Sequence, residues 1–169
     1  SKAVVLANRS MNALVYQYKY AYISLKRGEK FMNTMPPFIA FGIVLALHMP
    51  LCLGIKNVLV IDPSPEKAGV YFFKYRPNFY VCGNSALENI MNHPKIQNLD
   101  LRFVKVLAAG GDTMPSVLES KTNIFLKSHD AKTTLCVGYG MTEVGSTVVT
   151  STPDIYKEGT VGVPLPGTV

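Results

Sequence analysis

Leu135-Cys136-Val137-Gly138-Tyr139-Gly140-Met141-Thr142-Glu143 joins an apolar strand-like run to a glycine-bearing segment that ends in a hydroxyl and a carboxylate. A β-branched and apolar run that breaks at glycine reads as a strand ending in a turn, here with Thr134 to Val137 as the strand. A second stretch repeats the pattern upstream, where Phe103 to Leu107 leads into Ala108-Ala109-Gly110-Gly111-Asp112. Two strands with glycine turns at their carboxyl ends frame the reading of everything between and before them.

Moving outward, strand-like and helix-like runs alternate. Val4 to Leu6 reads as a strand, and Ser10 as the cap of a helix through Leu14, Val15, Tyr18, Ala21, Tyr22 and Leu25, ended by Gly28. Lys30 to Thr34 is a short strand, Phe41 to Leu53 an apolar helix, and Asn57 to Ile61 the cleanest strand signal. Pro63-Ser64-Pro65 opens a helix through Tyr75; then come a strand at Phe79 to Cys82, a helix at Ser85 to Asn92 and another from Pro115 to Lys127. Short strands separated by helices require crossover connections, so the expected fold is α/β, with a largely parallel sheet and helices on both faces. Ligands in such sheets sit at the carboxyl ends of the strands, where both glycine segments fall. From Ser146 onward, Thr, Val, Gly and Pro dominate, and an extended, loop-rich tail is expected.

Composition narrows the function. The chain has 169 residues, enough for one domain or part of a larger one, and is 48% apolar, which argues against disorder. Its 17 basic and 11 acidic residues give a formal charge of +6, scattered without a basic run, so no nucleic-acid partner is expected. An ordinary solvated surface explains the balance better than an anionic ligand does. Cys52, Cys82 and Cys136 lie in apolar surroundings at wide spacing, which points to a reducing compartment and hence a cytoplasmic location. His48, His93 and His129 are too far apart for zinc-ligand spacing. The apolar stretch Phe38 to Ile55 is broken by Gly42, His48, Pro50 and Gly54, which fits a core helix and a turn better than a membrane span. Ala3 to Ala7 is too short for the apolar part of a signal peptide.

In Gly138 to Glu143, glycines let a flat ring approach the backbone, Tyr139 offers a stacking face, Thr142 can donate to a phosphate oxygen, and Glu143 is a hard oxygen ligand suited to Mg2+. Residue types alone leave two readings open, an adenine-to-phosphate contact line or a strand end with a polar loop. A dinucleotide fingerprint fails on spacing, because position 143 is Glu and the next glycine is Gly145. The phosphate-loop pattern is absent, and Cys82-Gly83-Asn84-Ser85-Ala86 lacks the second glycine of a hydrolase nucleophile elbow.

GYGMTE resembles the most recognisable motif of the adenylate-forming superfamily, which includes acyl-CoA synthetases, aryl-CoA ligases, luciferases and adenylation domains of peptide synthetases. Four further segments match in order. Ser1-Lys2-Ala3 resembles the end of the family's phosphate loop, and Met35 to Gly42 its Pro-Leu-Phe-His-x-Phe-Gly segment. Ala109 to Pro115 resembles the glycine-rich wall between acyl and adenine pockets, and Gly159 to Gly167 the Gly-x-Val-Gly-x-Pro-x-Pro-Gly run.

The resemblance implies a carboxylate-activating ligase that uses ATP, Mg2+ and coenzyme A, forming an acyl-adenylate from a small-molecule carboxylic acid and then a thioester. It implies that Thr142 contacts the α-phosphate, Glu143 the Mg2+ and Lys2 the outgoing phosphates. Gly111, Asp112, Thr113, Gly138, Tyr139, Gly140 and Thr142 then form the nucleotide site. Ile39, Phe41, Gly110 and Met141 border the acyl pocket, although plain core packing is an equal alternative for Phe41 and Met141. Ile39 stands where the family often has His, which points to an aliphatic acid, and Ala3 stands where Gly is usual. The expectation is a partial N-terminal domain over residues 1–169, lacking most of the phosphate loop, the ribose-binding segment and the C-terminal domain with its lysine. A non-catalytic nucleotide- or acyl-binding module of the same fold is the alternative.

Overall fold

Side chains alternate between two faces along every central strand, and each face has its own apolar cover. The computed structural model describes residues 3–21 and 25–168. In β1 (Lys30–Asn33), β3 (Phe79–Cys82), β4 (Val106–Gly110) and β5 (Leu135–Met141), Phe31, Phe79, Val81, Val106 and Cys136 point to one side. Met32, Tyr80, Cys82, Leu107, Ala109, Leu135 and Val137 point to the other. Strands buried on both faces are the signature of a parallel sheet covered by helices.

On the first face pack α1 (Asn8–Tyr20) and a π-helical segment (Phe41–His48) that continues as α2 (Met49–Cys52), through Leu14, Tyr18, Val44, Leu45 and Met49. On the second pack α3 (Ala68–Tyr75), α4 (Asn84–Asn92) and α5 (Ser116–Ser128), through Phe72, Leu87, Ile90 and Leu126. From the apolar stretch Phe38 to Ile55, Val44, Leu45, Ala46, Met49 and Ile55 enter the core while Phe38 and Leu51 stay exposed, and among the described residues no helix is long and apolar enough to cross a membrane.

The described strands form one seven-stranded sheet in the order β2-β1-β3-β4-β5-β6-β7, with β2 spanning Lys56–Leu59, β6 Ser146–Thr150 and β7 Val163–Pro164. The β1–β2, β1–β3, β3–β4 and β4–β5 pairings are parallel; β5–β6 and β6–β7 are antiparallel. The expected α/β architecture is therefore present, and the tail after Ser146 is extended as read, with β6 returning directly beside β5.

Several local expectations are corrected. Val4 to Leu6 is not a strand: among the described residues no neighbour pairs with it, and Val5 is 97% exposed. The first helix starts at Asn8, before Ser10, and ends at Tyr20, because Ala21 is already extended at ψ 156°. Gly28 instead turns the chain at φ +87°, donating its N–H to the Gly54 carbonyl at 3.0 Å. Tyr22, placed in that helix by the sequence, lies outside the described residues. The fourth strand begins at Val106 and not at Phe103, since Asn78 O collects the N–H groups of both Lys105 and Val106 and sets the register there. The helix expected after Pro63 opens as a 3-10 turn, Pro65–Lys67, before α3.

The largest correction concerns the glycine segments. Neither Ala108 to Gly110 nor Gly138 to Met141 is a turn; both are strand, paired with each other at Gly110 and Gly138. Gly111 makes the turn after β4 at φ +86°, and a 3-10 turn at Thr142–Val144 makes the one after β5. Glycine is poor in strands, but β5 has a neighbour on each side, and pairing outweighs propensity. Of the cysteines, Cys82 and Cys136 are buried as expected whereas Cys52 is exposed, its sulfur 3.6 Å from His48 Nε2. Burial pushes the Cys136 thiol up to about 12 and the Cys82 thiol higher still.

Leu126, fully buried between α5 and the sheet, anchors the second layer. Leu126→Ala is expected to cost about 2–5 kcal/mol in urea unfolding, whereas Ile124→Ala on the exposed side of the same helix stays within about 0.5 kcal/mol. With a maleimide at pH 8, Cys52 is expected to react promptly. Cys82 and Cys136 react only once denaturant opens the core, and prompt labelling of either in the native protein would contradict this packing.

Candidate functional site

Two cavities meet at the carboxyl ends of β4 and β5. The first, about 330 Å³, lies between the first face of the sheet and the α1/π-helix layer. Phe79, Val81, Val106 and Cys136 form its floor, Tyr18 and Leu45 its roof, and Ile39, Phe41, Gly110 and Met141 its mouth and walls. The second, about 530 Å³, lies against α5 and the opposite face, bounded by Gly111, Asp112, Thr113, Met114, Glu119, Val137 and the loop Gly159, Thr160 and Val161. Gly111, Gly138, Tyr139 and Gly140 line both, so the glycine segments are the partition between them.

The partition depends on missing side chains. At Gly140 an added Cβ would lie 1.9 Å from the Ser146 carbonyl oxygen, because the ladder between β5 and β6 slips between Tyr139 and Gly140 and brings the returning backbone close. Only glycine fits there. At Gly110 an added Cβ would sit 3.2 Å from the Gly138 carbonyl oxygen, tighter than an ordinary contact, so glycine suits this part of the wall as well.

All four residues assigned to the acyl pocket, Ile39, Phe41, Gly110 and Met141, line the first cavity. Met141 is exposed, whereas Phe41 both borders the cavity and packs against the core. Six residues assigned to the nucleotide, Gly111, Asp112, Thr113, Gly138, Tyr139 and Gly140, line the second. Thr142 borders the first cavity, beside the partition, and Glu143 follows it, exposed, in the same 3-10 turn. Lys2 lies outside the described residues. No group of three or more His, Cys, Asp or Glu is arranged for a metal among the described residues. A single exposed carboxylate is still a suitable donor set for Mg2+, which keeps several waters and binds through one or two carboxylates plus substrate phosphates.

Other elements contribute lining that the sequence reading did not assign. Ser146, Thr147 and Thr150 of β6 place hydroxyls along the first cavity, and the Ser146 Oγ is buried without a partner. Tyr18 reaches the same cavity; burial holds its phenol above the ordinary range, an effect the Thr147 hydroxyl opposes. On the second cavity, Glu119 is 2% exposed. Its Oε2 accepts the Gly159 N–H at 3.2 Å, holding the loop that closes that side. Tyr156, in the same loop, accepts a bond from Asn123 Nδ2 at 2.8 Å, and burial followed by the Glu119 carboxylate pushes its phenol up to about 12. The one signal for these residues in the sequence was a charged residue, Glu119, inside an apolar helical repeat.

Comparisons with known proteins bear on the family and the fold. The family model described as "AMP-binding enzyme" matches residues 1–169. The long-chain-fatty-acid–CoA ligase of Bacillus subtilis (strain 168) is 26% identical over 167 residues, which cover 97% of this chain and 28% of that protein. Among solved structures, a benzoate CoA ligase from Burkholderia xenovorans LB400 superposes with a TM-score of 0.83 at 17% identity, covering 98% of this chain and 33% of that one. An anthranilate CoA ligase in complex with anthranoyl-AMP gives 0.80 at 14% identity, covering 97% and 31%. The chain thus spans about a third or less of the length of these relatives. With the family model covering its whole length, and the sheet and partition in place, the chain belongs to the AMP-binding enzyme family.

Proposed function

We propose that this chain carries the nucleotide- and acid-binding part of an ATP-dependent carboxylate-activating ligase. The observation that supports it most is the pair of cavities separated by a glycine wall, with Thr142 and Glu143 where the wall ends. An acyl group in the first cavity and an adenosine in the second bring a carboxylate and an α-phosphate together at that point. The carboxylate oxygen attacks the α-phosphorus, the bond to the bridging oxygen breaks, and pyrophosphate leaves, giving an acyl-adenylate. A thiol, which we take to be that of coenzyme A, then attacks the acyl carbon and AMP departs.

Catalysis of such a displacement consists of alignment and charge neutralisation. Thr142 donates its hydroxyl to an α-phosphate oxygen, and Tyr139 presents a ring face to the base beside the open glycine backbone. Glu143 is the residue that would hold Mg2+, which when bound neutralises phosphate charge. Lys2 is assigned to the outgoing phosphates on the resemblance of Ser1-Lys2-Ala3 to the family's loop. An aliphatic acid is supported by the apolar floor of Phe79, Val81 and Val106 and by Ile39 at the mouth. The fatty-acid ligase relative agrees with it. The span of a third or less of the relatives supports reading the chain as part of a larger N-terminal domain, and the free cysteines support a reducing, cytoplasmic setting.

The test is acid-dependent ATP–pyrophosphate exchange by the complete protein over a panel of carboxylic acids. Activity with aliphatic acids is expected, and Thr142→Ala and Glu143→Ala should each lower kcat/KM by about 10²–10³. Exchange untouched by either substitution would show that the reaction centre lies elsewhere.

A further inference from the structure

The first cavity has a measurable depth, because it runs along strands of known register. On β4, Val106 and Ala108 turn to this face of the sheet, and Gly110 follows in the same alternation at the wall. Four residue steps of about 3.3 Å separate Gly110 from Val106, about 13 Å in all. Phe79, paired in register with Val106, lies at the same depth on β3. On β3, β4 and β5 no lining residue lies nearer the amino ends of the strands than these two.

The deep end is closed by core. Phe79 is 2% exposed and Val106 3%. The Phe79 ring meets the ring of fully buried Phe31 edge-on, with centroids 4.7 Å apart, and the Asn78 carbonyl accepts the Val106 N–H at 3.0 Å. A ligand atom pushed beyond them has to displace close-packed side chains. Between this end and the wall the path is open, since Ala108 offers only a methyl group and is partly exposed. Among the described residues no charged side chain lines the cavity.

Depth and volume both translate into a chain length. A carbon–carbon bond of about 1.5 Å advances an extended alkyl chain about 1.3 Å per carbon, so a depth of about 13 Å takes about ten carbons. The cavity volume is about 330 Å³. A methylene group is close in size to a water, whose share of the liquid is about 30 Å³, so this volume holds about eleven of them. Shorter chains leave apolar wall unfilled, and longer ones meet Phe79 and Val106.

We propose that the acid activated here is a medium-chain aliphatic one of about ten carbons, with Phe79 and Val106 as the stop that sets its length. This deepens the adenylation reading and rests on it. Ala108 is the position that keeps the path to the stop clear.

Acid-dependent pyrophosphate exchange by the complete protein tests this, read as kcat/KM over straight-chain saturated acids from short to long. Wild type should gain about fourfold per added carbon up to about ten, then lose about tenfold or more once the chain is a few carbons longer. Ala108→Leu places a branched side chain halfway down the path, in space the cavity already offers, and should move the optimum to about five carbons. Phe79→Leu shortens the stop and should move it up by about one to two carbons. A wild-type profile that keeps rising well past this length, or one that prefers aromatic acids, would overturn the proposal and needs no folded variant. An Ala108→Leu optimum equal to that of wild type would overturn it as well. These results leave carboxylate activation standing. Wild type that shows no exchange with any acid would overturn the adenylation reading, and this inference with it.

Discussion

The Ser146 carbonyl oxygen leaves no room for a side chain at position 140, and this close approach organises the site. It arises because β6 returns antiparallel beside β5 with a slip in the ladder between Tyr139 and Gly140. That return converts the glycine segment from a free loop into a strand with neighbours on both sides. Glycine at 138 and 140 keeps side chains out of the partition that the two cavities share. A loop could carry the same residues but would not fix them, since loops move more than paired strands.

Each cavity takes its chemistry from the layer behind it. The first is roofed by α1 and the π-helical segment, whose buried residues are apolar, so its interior favours an uncharged chain, with β6 hydroxyls along one side. The second is backed by α5, which carries a polar cluster of Glu119, Ser120 and Asn123 towards the loop Tyr156 to Gly159. The π-helical segment matters here as well. Within it Phe41 and Leu45 border the first cavity, and Leu45 joins Val44, Ala46 and Met49 in the core.

Much of the fold was legible because its signals are local. Phe79 to Cys82 reads as a strand from four consecutive residues, and all four are buried in one. The helix from Pro115 was placed within a residue at each end, since proline before the first turn and the apolar spacing both act nearby. The failures share a cause. Val4 to Leu6 has strand-forming residues but no partner, and the start of β4 depends on Asn78, some 25 residues away in the chain, whose side chain also donates to Phe103 O. The glycine segments were read as turns from composition, whereas pairing made them strands. At the cavities, Tyr139 and Thr142 were legible as lining because they sit within one short motif. Tyr18, Glu119, Thr150 and Val161 were not, because only tertiary packing brings them to the cavities.

In the proposed function one ligand spans the glycine wall, with its acyl part on one face of the sheet and its adenosine on the other. A structure of the complete protein bound to a non-hydrolysable acyl-adenylate mimic tests this directly. The acyl chain should occupy the cavity floored by Phe79, Val81 and Val106, and the adenine should stack at Tyr139, with the linking group next to Thr142. A mimic bound with both ends on the same side of Gly110 and Gly138 would contradict the account.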